Sequence, residues 1–385
     1  MHETRQLQGS GGAYYESKAA LELKSALRPA EHETALSKEQ ATSIDLYIKE
    51  KMKEQHIPGM AVGVYRYGEI LFSKGYGVGD LKHKFPVKPE TPFCVASMGK
   101  QFISAAIMML AEARKVSLED SLADYFPGSP RWAEIRIKNL LSHTSGLPAY
   151  LDGALVRPGG ILDRRFEYSE EELVEKTKAL PVLFKPGRRW EYSNTNYMLL
   201  GVIIHEVTGK FYFDFLKERI FKPLNMSSPR LVLKDDTAEG IPVGYRMESG
   251  SLKEVPRWSD TFNSTADGSL YCNVLDLAKW DKALHSAELL RRSSLEKMWT
   301  VFQLNNGRPN PDNYGFGWQV ESANGHRIIE HGGSWNGFGT YLSRYANGGL
   351  TVAVLENREG SYRAGRIAHA VAGLLDPDLI PTKPR

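Results

Sequence analysis

The sequence predicts an α+β protein, α/β in the broad sense: an antiparallel sheet built from both chain ends and flanked by helices, with an inserted, mostly helical domain. Three observations lead there. Strand-like apolar segments occur at 60–65 and 70–76, a second run of them occurs at 315–355, and residues 98–300 between them carry helical signals. Strands at both ends with helices between them imply one sheet closed by sequence-distant segments. The expected boundaries are a sheet domain over 37–97 and 301–378, a helical domain over 98–300, and an N-terminal extension over 1–36. Pockets form at seams between such units, so the chemistry is expected there.

Each element has a local reason. Residues 1–36 lack the basic-then-apolar pattern of a leader, and Gly9-Ser10-Gly11-Gly12 reads as a flexible linker, part of it foreign to the fold. Ser37-Lys38-Glu39-Gln40 is a capping box; it opens a helix with Ile44, Leu46, Ile48 and Met52 on its apolar side and Pro58-Gly59 as its stop. Strands 60–65 and 70–76 join in a hairpin at Tyr67-Gly68. Helices follow at 102–113, 137–141, 170–179, 197–207 with Gly209 as stop, 211–221 and 274–285. Strands at 315–320, 327–330, 339–345 and 350–355 are punctuated by Asn324-Gly325 and Asn347-Gly348-Gly349, and a helix at 361–375 closes the chain.

Composition removes several function classes. Lys+Arg at 49 against Asp+Glu at 46 leaves a net charge of +3, which gives no reason to expect nucleic acid or an anionic membrane as partner. The apolar stretch 102–110 is too short for a membrane span. Cys94 and Cys272 lie far apart in sequence, which argues against a disulfide framework or a zinc site. They suit a cytoplasmic compartment if the N-terminus is native, and do not exclude export if a leader was removed. His205-Glu206 is not followed by the second histidine of HExxH, no Walker A or GxGxxG loop occurs, and Gly332-Gly333-Ser334-Trp335-Asn336 fails GxSxG at its last position. No motif calls for a cofactor or a metal.

Ser97-Met98-Gly99-Lys100 is what remains. Positions i and i+3 share a helix face, so the lysine amine can reach the serine hydroxyl and act as the base that a serine nucleophile needs. A second SxxK, Ser294-Leu295-Glu296-Lys297, reads as structural: Ser293 and Ser294 as helix caps, Lys297 on a polar face. Ser97 instead follows an extended stretch and opens an apolar helix, which supplies backbone N–H groups and desolvates Lys100. Tyr192-Ser193-Asn194 can project a phenol and an amide into one cleft, the phenol relaying the serine proton if a lysine cation lowers its pKa. The same spacing at Tyr271-Cys272-Asn273 and Tyr345-Ala346-Asn347 fits structural roles. His331-Gly332-Gly333-Ser334 ends a strand; it is either a plain turn or a strand edge that a substrate can approach, with a backbone N–H to complete an oxyanion hole.

In this order the three motifs resemble the serine β-lactamase and penicillin-binding protein superfamily, most of all class C β-lactamases, D-Ala-D-Ala carboxypeptidase B and family VIII-type esterases. Residues 140–148 (LLSHTSGLP) and 314–318 (YGFGW) add to the match, which covers about residues 40–375. The resemblance implies a β-lactamase-like fold. It implies Ser97 as acylated nucleophile, Lys100 as base or proton relay, Tyr192 sharing that relay, Asn194 orienting Lys100 and substrate, and N–H groups of Ser97 and Ser334 as oxyanion hole. His331-Gly332-Gly333 stands where the lactamases carry Lys-Thr-Gly, which binds a substrate carboxylate. A mostly neutral histidine tilts the expectation toward a cofactor-free, short-chain carboxylesterase acting on a small-molecule ester or amide. The alternatives are a β-lactamase or D-amino-acid peptidase or amidase, an acyltransferase, and a catalytically silent binding or scaffold protein.

Overall fold

Segments from opposite ends of the chain close the central sheet. The structure, a computed structural model, describes residues 35–150, 162–237 and 239–380. In chain order the elements that matter here are α1 (Lys38–Glu54), β1 (Gly59–Arg66), β2 (Glu69–Gly77), β3 (Phe93–Cys94), α2 (Lys100–Glu112), α3 (Leu122–Tyr125), α4 (Ile137–Leu141), α5 (Glu170–Lys178), α6 (Asn194–Thr208) and α7 (Tyr212–Leu216). They continue with β4 (Tyr245–Glu248), β5 (Ser251–Glu254), β6 (Tyr271–Cys272), α8 (Val274–Ser286), α9 (Arg292–Met298), β7 (Gln319–Ala323), β8 (His326–Trp335), β9 (Phe338–Tyr345), β10 (Leu350–Glu356) and α10 (Ser361–Leu375).

The main sheet has the order β2-β1-β10-β9-β8-β7, antiparallel throughout. The register Met60↔Glu356 to Arg66↔Leu350 joins the two ends of the chain. β1 and β10 are buried almost end to end, so both faces of the sheet are covered. On one face Ile44 and Ile48 of α1 and Ile367 and Val371 of α10 pack over Val62, Val64, Val352 and Val354. The other face, with Ala61, Tyr65 and Ala353, continues into the cluster that holds Phe102 of α2 and Trp280 of α8. An antiparallel sheet from both chain ends with helices between them is therefore what the chain forms.

Several local expectations shift for identifiable reasons. Leu46 is 64% exposed, so the buried side of α1 is narrower than expected and rests on Ile44 and Ile48. α1 ends at Glu54, and Gly59 begins β1 instead of stopping the helix. The strand expected at 315–320 begins at Gln319, because Gly315 N–H donates to Trp318 O in a turn and Gly317 takes φ 77°. A side chain at Gly317 would lie 2.5 Å from Ser104 Oγ, so this turn packs directly on α2. The strand expected at 327–330 runs on to Trp335, which puts His331–Ser334 inside β8. The helix expected at 211–221 is α7 followed by a π-helical turn, Lys217–Phe221. Arg291 is the N-cap of α9, so Ser293 and Ser294 lie within that helix and do not cap it. In the other Tyr-x-Asn triplets, Asn273 caps α8 by accepting from Asp276 N–H at 2.8 Å, and Asn347 accepts from Arg327 N–H at 3.1 Å.

The extended stretch expected before Ser97 is β3, and its pairing with β6 was not legible. They pair as Phe93↔Cys272 and Cys94↔Tyr271, which brings the two cysteines into adjacent strands. The offset of one residue points their side chains to opposite faces of the pleat, and both are free and buried.

One buried ion pair pins α8 to the sheet. Arg344 Nε donates to Asp281 Oδ1 at 2.7 Å, and Thr351 Oγ1 donates to the same oxygen at 2.9 Å. Asp281 is 0% and Arg344 3% exposed. Arg344→Met removes the buried cation, leaving Asp281 with Thr351 and with His285, whose Nε2 lies 3.5 Å from Oδ2, and is expected to cost about 3–5 kcal/mol in urea unfolding at pH 7. A loss below about 1 kcal/mol would mean that solvent reaches the pair.

Candidate active site

Ser97 stands in a 3₁₀ turn, Ala96–Gly99, between β3 and α2, so it precedes the helix that it was expected to open. Ala96 takes φ 52°, a left-handed conformation rare for a residue with a side chain. In a 3₁₀ turn positions i and i+3 eclipse, and Lys100 Nζ lies 3.0 Å from Ser97 Oγ. Gln101 ties the turn to α8: its Nε2 donates to Met98 O at 2.7 Å, and Trp280 Nε1 donates to its Oε1 at 2.6 Å.

Lys100 is completely buried. Its Nζ donates to Asn194 Oδ1 at 2.8 Å and to Asp267 O at 2.5 Å, with the rings of Tyr192 and Tyr197 at 5.1 and 5.4 Å. Burial pushes its pKa down to about 7, against the opposing pull of the Asp267 carboxylate. A neutral amine has two N–H bonds and one lone pair. In that form the two oxygens can take the N–H groups, which leaves the lone pair for the Ser97 hydroxyl.

Tyr192 corrects one expectation. Its hydroxyl is buried and has no hydrogen-bond partner of full geometry. Ser97 favours its ionised form, but burial outweighs this and raises its pKa. The lysine therefore loses proton affinity, and the phenol keeps its proton. His143 holds the Tyr192 segment from behind: Glu191 N–H donates to His143 O at 3.0 Å and Ser193 N–H to His143 Nδ1 at 3.2 Å. Asn196 Nδ2 donates to the same nitrogen at 3.0 Å, and the His143 and Tyr192 rings are 4.1 Å apart. Two donors on Nδ1 put the ring proton on Nε2, and burial keeps this imidazole neutral.

The third motif lies on an open strand edge. β7 pairs with β8 from His326 to Glu330, and among the described residues no strand continues along that edge beyond it. A side chain at Gly333 would lie 2.4 Å from Val95 O and 2.9 Å from Ala96 Cβ, so only glycine lets the Ser97 segment pack this close to the strand. Thr340 Oγ1 donates to Val95 O at 2.8 Å and holds the two together. His331 Nδ1 donates to Gly332 O at 2.6 Å; its Nε2, 2.8 Å from Tyr314 Oη, accepts from that phenol. Burial pushes the His331 pKa down to about 3, so it carries no charge.

Ser97, Tyr192, Asn194, His331, Gly332, Gly333 and Ser334 line one cavity of about 1060 Å³, with Lys100 directly behind Ser97. Every residue singled out in the three motifs thus gathers here. Asp267 and Tyr150, whose hydroxyl donates to Asp267 Oδ1 at 3.0 Å, were not anticipated. Asp267-Gly268 looks like any turn in sequence, and nothing local marks its carboxylate as buried. Among the described residues no group of three or more His, Cys, Asp or Glu is placed to hold a metal ion.

The β-lactamase family model matches residues 44–375. The chain belongs to the β-lactamase family. Penicillin-binding protein 4* of Bacillus subtilis (strain 168) is 30% identical over 324 residues, 80% of this chain and 70% of that protein. The octameric penicillin-binding protein homologue from Pyrococcus abyssi superposes with a TM-score of 0.75 at 28% identity, over 87% of this chain and 77% of that one. D-amino acid amidase from Ochrobactrum anthropi shares the fold, with a TM-score of 0.73 at 23% identity over 89% and 97% of the two chains. The superfamily resemblance and the β-lactamase-like fold expected from the motifs are thereby established, and with them membership among β-lactamase-fold serine hydrolases.

His143→Ala removes the acceptor of two buried donors, at about 1–3 kcal/mol each. Its thermal unfolding midpoint is expected to fall by several degrees. An unchanged midpoint would mean that solvent takes over both hydrogen bonds.

Proposed function

We propose that this β-lactamase-family protein hydrolyses esters or amides through an acyl-enzyme on Ser97, with short-chain carboxylic esters as its preferred substrates. The observation that carries this reading is the buried Lys100 amine held 3.0 Å from Ser97 Oγ, its pKa pushed down by burial to about 7. As Ser97 Oγ bonds to the substrate carbonyl carbon, its proton passes to Lys100 Nζ and the carbonyl electron pair moves onto oxygen. Backbone N–H groups of Ser97 and Ser334 face that oxyanion. Collapse expels the leaving group, which takes the proton from Lys100 by way of the Tyr192 hydroxyl, protonated as its raised pKa favours. Water then attacks the acyl carbon, its proton passes through the same pair to Ser97 Oγ as the acyl–Oγ bond breaks, and the acid is released with Ser97 restored. Asn194 keeps Lys100 aimed. On this reading the sheet unit (37–97 and 301–378) supplies nucleophile and oxyanion edge, and 98–300 supplies the proton-handling groups.

The preference for esters rests on His331. Both ring nitrogens are engaged and the ring is uncharged, so it offers a substrate carboxylate neither a cation nor a free donor. A second reading, acylation by β-lactams or D-alanyl peptides, draws support from the Bacillus subtilis relative, which is named as a penicillin-binding protein.

Ser97→Ala is expected to lower p-nitrophenyl butyrate turnover by a factor of about 1,000 or more, and a phosphonate probe is expected to label Ser97. Equal rates in the two proteins would sink the assignment, and nitrocefin turnover as fast as ester turnover would promote the second reading. Only the unprotonated amine accepts the serine proton, so kcat/KM should fall about tenfold per pH unit below the Lys100 pKa of about 7 and level off above it. A profile flat from about pH 5 to 9 would remove Lys100 as the base.

A further inference from the structure

The proton path just described leaves one buried acid without a role. Asp267 lies on the loop before β6, is 0% exposed, and gives its backbone oxygen to Lys100 Nζ at 2.5 Å. Its carboxylate interacts electrostatically with the amine, and Oδ1 accepts from Tyr150 Oη at 3.0 Å; burial raises its pKa, and Lys100 and the Tyr150 hydroxyl pull it back toward the ionised form.

The remaining groups around the pair are phenols and imidazoles. Tyr192 precedes α6, and Asn194 and Tyr197 lie on it; His143 follows α4, His331 lies on β8, and Tyr314 precedes β7. Tyr150 and, on α7, Tyr212 face Asp267. Burial raises the phenols and lowers the imidazoles, so each is neutral at physiological pH. Asp312, on the cavity wall, acts on Tyr192 and Tyr314. Among the described residues, an ammonium formed at Lys100 thus meets two neutral oxygens, a set of neutral rings, and the Asp267 carboxylate.

We propose that the Asp267 carboxylate is the counter-charge for the Lys100 ammonium that forms as Ser97 is acylated, an electrostatic positioning residue that acts through Lys100 and does not touch substrate. This rests on the Ser97–Lys100 mechanism above. A buried cation without a nearby anion is costly, so the charge that Lys100 acquires as it takes the serine proton is stabilised where it appears. Removing the carboxylate makes Lys100 a weaker base. The amine then stays unprotonated to lower pH, yet it takes the serine proton less readily.

The test is kcat/KM against pH with p-nitrophenyl butyrate for wild type, Asp267→Asn and Tyr150→Phe, each checked for stoichiometric phosphonate labelling of Ser97. Asp267→Asn should move the acid limb down by about one pH unit and lower the plateau by up to about tenfold. Tyr150→Phe keeps the acid but removes a donor that favours its ionised form, so its limb should move the same way by less; it carries the test alone if Asp267→Asn does not fold. A structural defect would lower the plateau and leave the limb in place. Limbs unmoved while Ser97 is still labelled would overturn the proposal but not the acyl-enzyme reading. Absence of Ser97 labelling in the wild type would overturn both.

Discussion

Burying a primary amine in a protein interior is expensive unless the amine gives up its charge readily or finds polar partners; Lys100 has polar partners, and burial lowers its pKa to about 7. With no exposed surface, it is met by Asn194 Oδ1, Asp267 O and Ser97 Oγ. The surrounding architecture is what makes that placement tolerable. The 3₁₀ turn aligns Ser97 with Lys100, α6 begins at Asn194 so that its amide faces inward, and aromatic rings close the remaining directions. A less enclosed lysine would remain an ammonium at neutral pH and could not accept a proton from serine.

The same constraint explains the strict packing around β8. The Ser97 segment lies directly against the open strand edge, and this close approach requires glycine at position 333. Thr340, one strand further in, fastens the segment by its hydrogen bond to Val95 O. The sheet's topology contributes at longer range: β8 is held between β9 and the short β7, so its last residues are supported on one side and open on the other. Residues 142–150 support the helical side of the cleft. Ser145 Oγ donates to Asn196 Oδ1 at 2.6 Å, and Thr195 Oγ1 donates to Pro148 O at 2.6 Å, so the loop and the start of α6 form one rigid piece.

Much of this was legible because it is local. Capping box, hairpin turns and apolar periodicity place most helices and strands to within a few residues, and the i, i+3 spacing of Ser97 and Lys100 follows from short-range geometry. The pairing of the two-residue strands β3 and β6 was not legible, since each is held by a partner more than a hundred residues away. The Tyr-x-Asn triplets show the limit of motif reasoning: three occur, and what separates Tyr192 from Tyr271 and Tyr345 is where the sheet and helices carry them.

The sequence by itself determined the fold class, the family, and which three short motifs would meet, since periodicity, turn chemistry and motif order are properties of the chain. The tertiary structure decided the proton affinities. That Lys100 is depressed while Tyr192 is raised, that His331 is neutral with both nitrogens engaged, and that an unmarked aspartate gives its backbone oxygen to the base all depend on burial and on distant partners. Desolvation and Coulomb interactions act through space, and no local pattern of residues encodes what lies across a folded cleft.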